Sequence, residues 1–307
     1  MKNPVLGIKI LLIQQALDFL PEASHMGRTV LGDFGKIQSD LFKVFIDEYG
    51  YGVFEKKHST LFKSTLQSVK LKTDSHAYWQ FYLTSTLLLN NLFHFFTTHK
   101  LHFFKYLGAI ALAEHAFGPY CAFTQKLIKQ YLPGADTMYY QEHSHIDDHH
   151  ASMTFDILIQ AIDLYGEEII IDMVKGIESV LYLQTIADQD LMAQIDWQTA
   201  QEVYKKKGML IKEEVINTPK ISKTHLIEPK KELSTLHVHD GDELCVINQG
   251  TMQFIGGFDT YTTLHQGDAM IIKKNRLHGA CIVSSSCDYT IYSIKNYLSY
   301  ATNFPQQ

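Results

Sequence analysis

Eight consecutive positions, His143-Ser144-His145-Ile146-Asp147-Asp148-His149-His150, hold four histidines and two aspartates. Folding alone does not call for such a run, because these side chains stay solvated unless something pairs with them. Imidazole and carboxylate together form an N/O ligand set suited to iron, manganese or zinc. On a helix advancing roughly 100° per residue, His143, Asp147 and His150 fall on one narrow face, and His145, Asp148 and His149 on the opposite one. Downstream, Ile157, Leu158 and Ala161 extend the first face, while Ser152, Asp156, Gln160 and Asp163 extend the second. An apolar stripe marks the core side of a helix. His143, Asp147 and His150 are therefore expected to point inward as metal ligands, and the other three to face solvent. A buried carboxylate between two imidazoles calls for a cation.

An inward His–Asp–His face needs partners from neighbouring helices. Glu114 lies in Gly108-Ala109-Ile110-Ala111-Leu112-Ala113-Glu114-His115, among the most apolar helical segments of the chain. An isolated carboxylate there would cost several kcal/mol or take up a proton. Glu48 ends a stripe of Leu41, Val44 and Phe45 just before Gly50, and His58 begins the next stripe with Phe62, Leu66 and Val69. Glu55, one turn before His58, rivals Glu48 for the same role. His94 and His115 read as packing groups.

The elements that position these residues divide in two. Helical periodicity runs to about Met209, punctuated by Gly50, Gly52 and Pro133-Gly134. Between Lys212 and Glu232 the composition shifts to Lys, Glu, Pro and Thr, a linker with an entry strand. After Leu233, short alternating strands are broken by Asp240-Gly241, Asn248-Gln249-Gly250, Gly256-Gly257 and Gln266-Gly267-Asp268, the mark of a small β-barrel or jelly roll. The expected fold is multidomain α + β, with an all-α bundle over residues 1–215 and a linker with a β domain over 216–307.

The chain of 307 residues is 46% hydrophobic and 20% charged, enough for a large core in two domains. A net charge of −6 without a basic stripe argues against a nucleic-acid partner. The apolar run from Met1 to Leu20 is interrupted by Lys9 and lacks a small-residue cleavage site, so it reads as an amphipathic first helix. No uninterrupted apolar stretch is expected to span a bilayer. Cys121, Cys245, Cys281 and Cys287 lack metal-ligand spacing and read as free thiols of a cytoplasmic protein.

The β domain carries its own ligand pattern. His237-x-His239-x3-Glu243 continues to Gly250, and Gly267-Asp268 is followed by Asn275-Arg276-Leu277-His278. His237 and His239, two apart on an expected strand, share a face. This pattern resembles the two cupin motifs over most of residues 230–300, with Asn275 where cupins often carry Pro. The resemblance implies a mononuclear site of His237, His239, Glu243 and His278 inside a cupin β-barrel, for which Fe(II) suits the ligand set.

The helical part resembles the iron-containing redox enzyme family, among the heme-oxygenase-like di-iron oxidases and oxygenases. The resemblance rests on Phe34-Gly35-Lys36-Ile37-Gln38-Ser39-Asp40-Leu41-Phe42, Asp47-Glu48-Tyr49-Gly50-Tyr51-Gly52 and Lys57-His58-Ser59-Thr60-Leu61-Phe62. The spacing from His58 through Glu114 to His143-x3-Asp147-x2-His150 also matches. It implies two Fe(II) ions on Glu48, His58, Glu114, His143, Asp147 and His150, with Glu114 bridging. Because this family places its first carboxylate variably, Glu48, Glu55 and Glu22 stay open for that role. The implied activity uses O2 on a small amine- or carboxylate-bearing substrate, by N-hydroxylation or C–C cleavage. In the alternative reading the helical domain alone is catalytic and the cupin senses a small molecule or metal. Tyr139, Tyr140, Phe117 and Asn91 are candidates to line the pocket, and both folds commonly self-associate as homodimers.

Overall fold

The computed structural model describes residues 3–31 and 35–294, and all their side chains except those of His145, Asp147 and Asp148. It divides into two compact units. One is formed by Gly7–Leu191, the other by the chain from Met192 onward with the N-terminal residues up to Leu6.

The helical unit begins with α1 (Pro4–Phe19), which buries Ile8, Ile10, Leu12, Ile13, Gln14, Gln15 and Phe19. Contrary to the sequence expectation, Pro4–Val30 is long and apolar enough to cross a membrane by length and composition. Its most apolar window is 56% buried within the structure, as in the core helix of a folded bundle. After α2 (Ser24–Val30) and α3 (Lys36–Glu48) come α4 (His58–Ser68) and α5 (Thr84–Thr98). The long helices α6 (Phe103–Tyr131) and α7 (Met138–Tyr165) then pack along each other. Tyr106, Leu107, Ala109 and Ile110 of α6 share one core with Ile157 and Ala161 of α7 and with Ile37, Leu41 and Val44 of α3. Burying each leucine, isoleucine or valine among them contributes about 1.5–3 kcal/mol.

The next helix, α8 (Ile170–Thr199), meets α6 at two glycines. A Cβ at Gly108 would lie 2.1 Å from the Met173 carbonyl oxygen, and one at Gly176 would lie 1.9 Å from that of Lys105. The missing side chains let the two backbones touch.

In the second unit, Trp197 from the end of α8 joins Cys245, Ile247, Met252, Phe254 and Leu264 in one core. Ile211 and Val215 of α9 (Gln201–Ile216) bury against Leu244, Val246, Ala269 and Ile271. The boundary expected near residue 215 therefore differs from the observed division near 191, because the last helices bury their apolar faces on the sheets. The linker shrinks to 217–222, since helix persists to Ile216 and β1 (Lys223–Pro229) follows.

The remaining strands are β2 (Leu233–His237), β3 (Glu243–Gln249), β4 (Thr251–Gly257), β5 (Thr260–His265), β6 (Ala269–Ile272), β7 (His278–Ile282) and β8 (Ser286–Ser293). They form two antiparallel four-stranded sheets, ordered β1-β8-β3-β6 and β2-β7-β4-β5. That interleaving of early and late strands is the jelly roll of cupins. Among the described residues the sheets do not close into the expected barrel.

Candidate metal centre

The site begins where α3 ends. Asp47 and Glu48 occupy its last turn and are only 5% and 6% exposed. Carboxylates are disfavoured at a helix C-terminus, where the dipole is negative, so these two acids need another partner. The chain then reverses through Gly50, whose φ of 61° suits glycine and whose missing Cβ would lie 2.6 Å from the Lys56 backbone. This turn carries His58, the first residue of α4, back over Glu48 and leaves His58 Nδ1 2.6 Å from Glu48 Oε2.

From α7, His143 and His150 enter the same space, 2% and 0% exposed. The His143 ring donates from Nδ1 to the Tyr139 carbonyl at 2.9 Å, which turns Nε2 inward. That nitrogen lies 3.0 Å from His58 Nδ1, 3.5 Å from Glu22 Oε1 and 3.7 Å from Glu48 Oε2. Glu22, in the turn after α1, is fixed by the Tyr139 hydroxyl, which donates to Oε1 at 2.6 Å. His150 donates from Nε2 to Asp47 Oδ2 at 3.2 Å, leaving Nδ1 3.4 Å from Glu114 Oε2 and 3.5 Å from Glu48 Oε1. A histidine held through its far nitrogen by a carboxylate or carbonyl is the usual support of a metal ligand.

Two groups of ligand atoms result, each lying within 4.8 Å of one another: Glu22, Glu48, His58 and His143, and Glu48, Glu114 and His150. Glu48 is common to both. Among the described residues, Glu22 Oε2, Asp47 Oδ1, Glu48 Oε2 and His150 Nδ1 are buried without a hydrogen-bond partner. Such atoms are costly unless something satisfies them. Together with a donor set of imidazole and carboxylate, they fit a pair of divalent metal ions.

The electrostatics show the strain of this crowd of acids. Burial would depress His143, but the carboxylates of Glu22 and Glu48 outweigh it and hold the ring well above its ordinary value. His150, likewise disfavoured by burial, is raised to about 9 by Glu114, Glu48 and Asp47. Glu22 is raised by burial, which His143 only partly offsets. Asp18, on the same cavity wall, is pushed up to about 7 by burial and by its neighbours Glu22 and Glu48. The cavity has a volume of about 90 Å³, with Phe19, Phe93, Ile110 and Phe117 as its apolar walls.

Of the residues expected from sequence, Glu48, His58, Glu114, His143 and His150 come together here. The side chain of Asp147 lies outside those described, as do those of His145 and Asp148, while His149 is exposed as expected. Glu55 is exposed, and Glu22 and Glu48 both occupy the place for which the three acids competed. Among the described residues the carboxylate common to both groups is Glu48, which the turn at Gly50 sets between the His58–His143 pair and His150, while Glu114 belongs to the second group. Phe117 lines the cavity and Tyr139 and Tyr140 are fully buried beside it, whereas Asn91 is exposed. Asp47 and Asp18 were missed. Asp47 had one readable signal, its place beside Glu48 in the last turn before Gly50.

In the second unit, His237, His239 and His278 form a third convergent group. His237 and His278 are paired directly across β2 and β7. His237 donates from Nδ1 to the Thr235 carbonyl at 2.7 Å and His278 to that of Arg276 at 2.9 Å, which frees both Nε2 atoms. Burial and the neighbouring His237 and His239 push His278 down to about 3. His239 lies beyond the end of β2, not on the strand with His237, yet their ring centroids are 4.8 Å apart. The Glu243 carboxylate meets His239 Nδ1, and the convergent group comprises the three histidines without it. Cys245 and Cys287 are buried free thiols, as is the half-buried Cys281 free, so no disulfide joins Cys281 to Cys287.

Comparison with known proteins follows the same division. The chain is similar to a protein named nitrosourea synthase from Streptomyces achromogenes subsp. streptozoticus, at 46% identity over 294 residues. That match covers 93% of this chain and 61% of the relative, so the chain spans about three-fifths of its length. A cupin-2 domain protein from Shewanella frigidimarina is similar at 22% identity over 25% of this chain and 72% of its own, with a TM-score of 0.22. KdgF from a Halomonas species is similar at 20% identity over 27% of this chain and 77% of its own, with a TM-score of 0.23. The jelly-roll assignment rests on the strand order, not on these scores. Residues 9–185, more than half of the chain, match the model of the iron-containing redox enzymes. This chain belongs to the iron-containing redox enzyme family.

Proposed function

We propose that this protein is an iron-dependent oxygenase whose helical unit holds two iron ions and uses O2 to oxidise a nitrogen of a small amine- or carboxylate-bearing metabolite. The observation that carries this reading is the pair of ligand groups sharing Glu48, with Glu22, His58 and His143 on one side and Glu114 and His150 on the other. Asp147 is kept as a further ligand from its place in the His143-x3-Asp147-x2-His150 motif. Iron bound there supplies the redox chemistry that activates O2.

The chain's own residues prepare the site. Tyr139 holds Glu22 through its hydroxyl and His143 through its carbonyl, so one residue sets two ligands of the same group. Asp47 accepts a hydrogen bond from His150 Nε2–H, which leaves Nδ1 for the metal. Phe19, Phe93, Ile110 and Phe117 give the cavity apolar walls beside the ligands.

N-hydroxylation is favoured over C–C cleavage by the likeness to a nitrosourea synthase. A nitrosourea carries a nitroso group on a urea nitrogen, and oxidation of a substrate nitrogen is one route to such a group. In the second unit, His237, His239 and His278 would hold a further divalent metal, with Glu243 either joining them or orienting His239. This site would carry out a second oxidative or rearrangement step.

The test loads the full chain anaerobically with Fe(II), admits ¹⁸O2 with a metabolite extract and follows products by mass spectrometry. An ¹⁸O-labelled product that disappears in Glu48→Ala is expected. No O2 consumption by the iron-loaded chain overturns the reading. Loss of only the final product in the double variant His237→Ala/His239→Ala, with accumulation of an N-hydroxylated compound, would place the second step in the cupin.

A further inference from the structure

In the second unit the pairing of β4 with β7 stops beside a histidine of the convergent group. The last paired residues are Ile255 and Gly279, next to His278, and β4 then bulges between Ile255 and Gly257. Leu277 is buried where that pairing has ended, and a buried peptide needs partners for its N–H and C=O. Gln194 of α8, 2% exposed and in the same unit, supplies them. Its Oε1 accepts from the Leu277 N–H at 2.9 Å. Its Nε2 donates to the Leu277 carbonyl at 3.3 Å and to the Gly256 carbonyl at 3.2 Å. A carboxamide carries both donors and acceptor, so this side chain takes the place of a strand peptide. Trp197 adds a bond from Nε1 to the same Leu277 carbonyl at 3.3 Å.

The clamp acts on the two residues that fix the His278 ring. His278 donates from Nδ1 to the Arg276 carbonyl at 2.9 Å and stacks on Phe254, with ring centroids 6.0 Å apart and planes 9° from parallel. Arg276 and His278 flank Leu277. Holding the Leu277 peptide therefore holds both the carbonyl that sets the ring's tautomer and the backbone that carries the ring. Gln198, one turn further along α8, makes bonds of the same kind to the Phe258 carbonyl at 3.0 Å and Thr260 Oγ1 at 3.2 Å, but it serves the β4–β5 turn. We propose that Gln194 is a positioning residue of the second metal site, aiming His278 Nε2 at the point on which His237 and His239 converge. The inference rests on the reading of those three histidines as a metal site and adds to it the side chain that fixes one of them from outside the strands.

The experiment titrates Co(II) into the full chain carrying Glu48→Ala, with His237→Ala in the same background as the baseline for ions held elsewhere. Affinity is read by competition with a chelator, and ligand geometry by the visible absorption of the bound ion. Gln194→Met keeps the length of the side chain and removes its hydrogen bonds, and Gln198→Met does the same one turn away. Gln194→Met should bind Co(II) about 10–100-fold more weakly with shifted visible bands, while Gln198→Met binds like its parent. Unchanged affinity and bands in Gln194→Met overturn the assignment, as does an equal loss in Gln198→Met. If Gln194→Met does not fold, Gln194→Glu, which keeps the shape and the acceptor but lacks the donors, takes its place under the same criteria. Should neither fold, hydrogen exchange on the parent decides: Zn(II) is expected to slow exchange of the Leu277 amide further, and an unchanged rate overturns the assignment. A parent that binds no more Co(II) than the His237→Ala baseline overturns the three-histidine reading instead, so the two failures are distinct.

Discussion

His58 Nδ1 and His143 Nε2, 85 positions apart in the chain, face each other at 3.0 Å with Glu48 Oε2 at 2.6 Å from the first and 3.7 Å from the second. His143 already commits its Nδ1 proton to the Tyr139 carbonyl. A single proton on His58 cannot serve both the imidazole lone pair and the carboxylate fully, whereas a cation among the three satisfies all of them. The second group repeats the arrangement around His150 Nδ1, and Glu48 joins the two.

That sharing makes Glu48 unlike its neighbours. In the His237→Ala/His239→Ala background, Glu22→Gln and Glu114→Gln should each leave about one iron per chain after anaerobic loading, while Glu48→Gln should leave close to none. Elemental analysis of desalted protein checks this.

Tyr139 supports the site through hydrogen bonds to Glu22 and His143 and through ring contact with His143. Removing its hydroxyl in Tyr139→Phe unties Glu22 and keeps the ring packing against Phe19 and Phe62. Iron affinity at that position should fall roughly 10–100-fold, the usual cost of losing a supporting hydrogen bond, as read by competition with a chelator.

The pH dependence of the metal-free protein has a definite sign. His150 is raised to about 9 in the folded state. Between its unfolded value near 6.5 and about 9 the folded chain holds more protons, so the stability this group contributes is complete below that window and lost as pH rises through it. Asp18, raised to about 7, acts in the same direction at lower pH, because the folded state keeps its proton after the unfolded state has lost it. Metal-free protein should therefore melt at lower temperature at pH 9 than at pH 6.5. Added iron should stabilise it more at the higher pH, since binding displaces protons from the histidines.

Two close backbone approaches are expected to be intolerant. Gly50→Ala puts a Cβ 2.6 Å from the Lys56 backbone at a φ of 61°, and Gly108→Ala puts one 2.1 Å from the Met173 carbonyl. Each should cost about 1–3 kcal/mol in denaturant unfolding. Gly50→Ala should in addition weaken iron binding, because that turn sets His58 against Glu48.

Much of this site was legible in the sequence. The helical spacing of His143 and His150, continued by Ile157 and Ala161, set the inward face of α7, and the apolar setting of Glu114 marked it as a buried acid. Glu22 could not be separated from Glu55, because it sits in a turn where periodicity says nothing about burial. Asp18 was hidden for another reason: the cavity it lines is walled by side chains from other helices, such as Phe93 and Phe117. The sharing by Glu48 depends on the three-dimensional turn at Gly50. The division near residue 191 was equally hidden, since an amphipathic helix does not declare which layer it will cover, and α8 is one helix across it. In the β domain, the motif located His237, His239 and His278, but the end of β2 at His237 follows from pairing with β7.

The central claim is a two-iron centre that reacts with O2. Fe(II) titrated anaerobically into the His237→Ala/His239→Ala chain, counted by elemental analysis and followed by Mössbauer spectroscopy before and after oxygen, tests it most directly. The account predicts about two irons per chain, both lost in Glu48→Ala and both oxidised when O2 is admitted. Less than one iron per chain, or iron that stays ferrous under O2 in the presence of a cell-extract substrate pool, would contradict it.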